Sequence, residues 1–132
     1  MDTKDDEENL QTAAEVWAAA AVVPLSFEPP ARLVVDPPLP GPLKLGRVVI
    51  QYRTENLRIV PVYGKDALAV SPRIGHLHLT VDHASWHWLD ASGEPITMNG
   101  FTPGEHNILV ELADPTHRII DRSFLEFIIP GD

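Results

Sequence analysis

The segment Ile74-Gly75-His76-Leu77-His78-Leu79-Thr80-Val81 decides how this chain is read. Side chains on a strand alternate between faces, so Leu77, Leu79 and Val81 leave one side while His76, His78 and Thr80 leave the other. The Leu side is the core side. The two imidazoles are therefore expected one pleat apart, pointing outward from the face opposite the core. A one-residue slip would exchange the two sets, so the apolar pattern fixes the register and the direction of the pair.

The same texture extends along the chain from Leu43. Short β-branched or aromatic runs at 47–53, 57–62, 68–70, 85–89, 96–99, 107–113 and 123–129 are broken by Gly, Pro, Asn or Asp. Strands at this spacing predict an all-β fold, an immunoglobulin- or cupredoxin-like β-sandwich over residues 31–132. Residues 29–42 hold six of the 13 prolines and read as a stiff, extended strap with an edge strand at Arg32–Val35. Residues 1–30 carry seven acidic side chains and one Lys. There, Leu10, Ala13, Ala14, Trp17 and Ala21 recur at helical spacing, Thr3 can cap, and Pro24 ends the run. An acidic N-terminal helix over about residues 4–22, with a Pro-rich lead-in, is expected ahead of the sandwich. Its apolar face needs a cover, on the sandwich or on a second protomer.

Composition narrows the function. The chain has 132 residues, a formal charge of −9 and no Cys. That balance argues against sequence-independent nucleic-acid binding, which needs a basic stripe. No apolar run is long enough for a membrane span. The missing Cys excludes disulfides, Cys-ligated zinc, iron–sulfur clusters and thiol catalysis. The acidic start is unlike a signal peptide, so the chain as written reads as cytoplasmic; an exported form stays open if this N-terminus is not the native one.

Four of the six His lie within residues 75–88. A His-x-His pair on a strand supplies two imidazoles to one ion, and a stable zinc or copper site wants three or four ligands. His117 sits in Asp114-Pro115-Thr116-His117, which fits a type I turn with Asp first and Pro second, and is the expected third ligand. His87, between Trp86 and Trp88, is the candidate fourth ligand or a supporting residue. His106 ranks below His117, at the rim of the core-facing side, and His83 reads as a solvated turn residue. Trp86 and Trp88 read first as core packing and second as an aromatic wall beside the site. Tyr52, Arg53, Glu55 and Arg58 around one turn fit an anion contact or a solvated hairpin end. No nucleophile elbow, phosphate loop or dinucleotide fingerprint is present.

From about Ala31 to Pro130 the chain resembles a bacterial family of unknown function. The resemblance rests on residues 32–38, 52–62, 75–82, Trp86-His87-Trp88, Pro103-Gly104-Glu105-His106 and Leu112-Ala113-Asp114-Pro115-Thr116-His117. It implies membership of a broader set of His-rich sandwich domains that share the Gly-His-x-His strand, the Pro-Gly-x-His turn and a later Asx-x-His turn. Many members are exported, whereas the acidic residues 1–28 depart from those. The resemblance implies a sandwich and a His site and supplies no substrate.

The expected function is a metal-binding protein with a His-only site for a divalent ion, copper or zinc, made by His76, His78, His117 and His87. An open fourth position would let a bound water react, so catalysis is left open. Two other readings stand: a metal-free enzyme using His76 and His78 as acid and base, and an interaction module whose His face and helix pack on another protomer in a homo-oligomer such as a dimer. Ligating imidazoles must be neutral, so binding is expected to weaken as pH drops through ~6.5.

Overall fold

A computed structural model describes residues 28–131, and the expected N-terminal helix lies outside them. The fold is all-β. Nine strands run in the order β1 Arg32–Val35, β2 Val48–Ile50, β3 Tyr52–Glu55, β4 Arg58–Ile59, β5 Ile74–Val81, β6 Trp88–Asp90, β7 Ile96–Met98, β8 Gly104–Ala113 and β9 Ile119–Ile129. β1 pairs with β3 and β2 with β7, both antiparallel. The main sheet has the order β4-β5-β8-β9. β4 runs parallel to the start of β5, and β6 pairs antiparallel with its middle, Leu79 opposite Trp88.

One core joins these sheets. Leu77 and Leu79 of β5, Ile108, Val110 and Leu112 of β8, and Phe127 and Ile129 of β9 meet Leu33 of β1, Val48 and Ile50 of β2 and Ile96 of β7. Burying such side chains contributes about 1.5–3 kcal/mol each, which is why their alternation dictates register. Every odd residue of β8 from Asn107 to Glu111 therefore turns away from that core, and so do His76 and His78.

Several expectations need correction. The run 68–70 is not a strand: a 3-10 turn covers Lys65–Ala69, entered through Gly64 at φ 103 and closed by the Ala67 N–H donating to the Gly64 carbonyl. Gly supplies the positive φ that the entry needs, and only Ala67 is buried there. The Pro strap is not extended throughout, because Pro40–Leu43 forms one helical turn with Pro at its start, where the missing N–H is harmless. Trp86 and Trp88 are not core residues. They are 56% and 44% exposed and pack edge to face on each other, since β6 is a short strand at a sheet margin.

Candidate metal centre

β5 delivers His76 and His78 together on the face opposite Leu77 and Leu79, as the alternation requires. That face is not open, however: His76 is fully buried and His78 nearly so. The outward orientation expected from the sequence is corrected here. Residues 60–64 run past the pair, tied down by the Val60 N–H on the Gly75 carbonyl and the Gly64 N–H on the Pro115 carbonyl. Tyr63 stands edge-on to His76, with ring centres 5.1 Å apart. His87 stacks on His78 at 4.4 Å.

The β8–β9 hairpin brings the third imidazole. The His117 N–H donates to the Asp114 carbonyl, and the Asp114 N–H donates to the Arg118 carbonyl. This is a type I turn followed by a left-handed residue, the common three-residue hairpin loop. Asp114 Oδ1 accepts from the Thr116 N–H, the Thr116 hydroxyl and the Arg118 N–H, which rigidifies the loop. The left-handed position ordinarily takes Gly, yet here it is His117, at φ 70.

Three ring nitrogens converge. His76 Nε2 lies 3.0 Å from His78 Nε2 and 3.0 Å from His117 Nδ1, and the last two are 3.3 Å apart. At this range a ring nitrogen that carries its proton can donate to a bare one, whereas two bare nitrogens repel. A cation seated among three bare nitrogens satisfies all three at once. A tetrahedral ion with ~2.0–2.1 Å bonds holds its donor atoms ~3.3 Å apart, so the nearly equilateral set matches one face of such a shell. The three residues could hold a metal ion. His117 is exposed, which leaves the triangle approachable from the hairpin side.

Electrostatics agree with neutral ligands. Burial, and then the neighbouring His117, keeps His76 below the usual imidazole range, with Asp114 pulling the other way. Burial, followed by His76, His87 and His117, pushes His78 down to about 4. The far nitrogen of His76, Nδ1, is buried without a partner.

The remaining candidates lie elsewhere. His106 donates from Nδ1 to Asp82 Oδ2 and from Nε2 to the Thr102 carbonyl, both at 2.7 Å. Two acceptors require both ring protons, and the Asp82 bond raises its pKa accordingly. His106 is thus tied to Asp82 and Thr102 and is not part of the triad. His83 is an exposed turn residue against Phe124. Trp88 borders a cleft of about 860 Å³ with Leu79, Ile96, Met98 and Phe101, whose lining holds none of the three converging His. The turn around Tyr52 is not a hairpin end, because β3 pairs with β1 and β4 with β5: Arg53 and Arg32 flank Glu55, and burial, with Asp90 and Glu94, pushes the Tyr52 phenol up to about 12. Sequence reasoning missed Tyr63, which also stacks at 6.0 Å on His117. No local pattern marks it; only the path of residues 60–64 past β5 brings it there.

Over residues 7–132 the chain matches a family of unknown function (DUF6130), and it belongs to that family. No curated protein and no solved structure matches it. Among the described residues no helix is long and apolar enough to cross a membrane.

Proposed function

We propose that this member of a family of unknown function is a metal-binding protein whose His76, His78 and His117 ligate one divalent ion, zinc before copper. The reading rests on the nitrogen triangle with 3.0–3.3 Å edges. Three equatorial donors of a tetragonal copper(II) site would include one trans pair, ~4 Å apart at ~2 Å bonds, which this set lacks; that favours zinc. His87 is the fourth residue of the site. Stacked on His78, it either turns to complete the shell or borders a position left to water, and a water held there would be acidified by the metal. The surrounding strands are read as a β-sandwich of the immunoglobulin or cupredoxin kind, supported by the single core shared between the main sheet and the two small ones.

The test is elemental analysis of protein purified without a His-tag, at neutral pH, after zinc loading and gel filtration. One zinc per chain is expected for the wild type and for His83→Ala. His76→Ala and His117→Ala should each lose it, by tenfold or more in affinity. Absence of stoichiometric zinc or copper in the wild type overturns the proposal.

A further inference from the structure

The core is closed on one side and open on the other. Beside β9 it is sealed by β1, where the Leu33 N–H donates to Asp121 Oδ2. On the far side β6 uses one edge for β5 and β7 uses one edge for β2, and among the described residues neither has a second partner. Both strands line the cleft of about 860 Å³, a volume in the range of small-molecule sites.

Register fixes what faces that cleft. Leu79 stands opposite Trp88 and Leu77 opposite Asp90, and both Leu side chains face the core. Trp88 and Asp90 therefore share the core-facing side of β6, side by side at the margin of the sheet. His87 shows the same alternation from the other face, since it stacks on His78. Trp86 braces Trp88 edge to face, with ring centres 4.5 Å apart. Met98 of β7 and Phe101 lie in the same lining. Two exposed indoles at the mouth of an apolar cleft leave surface in water that a ligand would cover.

The charges of the lining choose the ligand. No Lys or Arg is among them. His106 is tied to Asp82 and the Thr102 carbonyl, and Asp82 also accepts from the Asn107 N–H. Asp90 is different. Its Oδ1 takes both bonds from Ser92, N–H and hydroxyl, while no donor among the described residues reaches Oδ2. Its field is felt nearby: after burial, Asp90 and Glu94 are what push up the Tyr52 phenol.

We propose that this cleft binds a small quaternary ammonium compound, its charged head against the Trp88 face and Asp90 and its aliphatic tail beside Met98 and Phe101. An indole face attracts a cation through its quadrupole, and more strongly once the head has shed its water. A quaternary head is weakly hydrated and has no N–H to satisfy, so it tolerates an apolar cleft better than a primary amine does. The same carboxylate repels an anion. The metal reading is not needed for this inference, because a quaternary nitrogen has no free electron pair with which to ligate zinc.

Calorimetric titration of the full chain with hexyltrimethylammonium, hexanol and hexanoate tests it, since the tail stays constant while the head changes charge. The cation should bind saturably, one per chain and at least about tenfold more tightly than the alcohol, and the carboxylate should not bind. Tetramethylammonium, which lacks the tail, should bind more weakly than hexyltrimethylammonium. Trp86 and Trp88 report the same event by fluorescence, and Trp17→Phe removes the third indole of the chain. Asp90→Asn keeps the Oδ1 that Ser92 uses and removes only the charge. It should weaken the cation by about tenfold and leave hexanol unchanged. Trp88→Leu keeps an apolar side chain without the aromatic face and should do the same. No saturable binding, a cation held no more tightly than hexanol, an Asp90→Asn variant that binds the cation as wild type does, or unchanged Trp fluorescence at saturation overturns the inference.

Discussion

His117 carries the clearest conflict between local comfort and function. The third position of its hairpin loop is left-handed, at φ 70, where a side chain costs about 1–2 kcal/mol relative to Gly. Gly would return part of that gain as unfolded-chain entropy, about 0.4–1 kcal/mol. His117→Gly should therefore raise the stability of the metal-free protein by about 0.5–1 kcal/mol, while His117→Ala, which keeps the Cβ, should not. Both should lose metal. Urea unfolding of the three metal-free proteins at pH 7 measures it. A His117→Gly variant less stable than wild type would assign the ring to packing on Tyr63. The turn itself was legible: Asp at its first position and Pro at its second predict the type I geometry found. The left-handed third position was not, because nothing in Thr116-His117-Arg118 marks it.

β5 shows how far a strand can be read. Its limits, Ile74–Val81, and its alternation are as the sequence predicts. Its outer face is buried because Tyr63, His87 and the β8–β9 turn stand over it, and no periodicity within β5 reports on segments that distant. The misread run 68–70 falls at the end of the 3-10 turn Lys65–Ala69, whose apolar residues look strand-like out of context. Trp86 and Trp88 failed similarly, since a strand margin overrides the general tendency of Trp to be covered. Gly75 shows the tightness of the assembly. A Cβ there would collide with the Ala113 carbonyl oxygen and touch the Leu57 side chain. The carbonyl is backbone of β8, beside β5, and cannot yield without moving that strand. Gly75→Ala should cost about 1–3 kcal/mol and shift His76 relative to His117. The expected result is a lower thermal midpoint together with weaker zinc uptake; unchanged values for both would show that β5 floats freely between its neighbours.

At the scale of the whole molecule, proton uptake separates the buried His from the rest. His78 is held at about 4, against an ordinary value of 6.5, and His76 is lowered as well. Between those values the unfolded chain takes protons that the folded one refuses, so the metal-free protein should lose stability as pH falls from 6.5 towards 4. His106 works in the opposite direction: its pKa is raised, so its contribution is full below 6.5 and fades as pH climbs through the folded value. The same burial changes what a metal must displace. Three ordinary imidazoles at pH 5.5 would be mostly protonated, and zinc would release close to three protons on binding. With His78 held at about 4 and His76 lowered as well, the release at pH 5.5 should fall short of three protons. Zinc affinity should then fall less steeply below pH 6.5 than three ordinary imidazoles would give, a gentler loss than the sequence alone suggests. Calorimetric titration in two buffers of different ionisation enthalpy counts these protons directly. A release near three at pH 5.5 would mean that the pair is solvated before the ion arrives and that the cover over β5 opens in the metal-free protein.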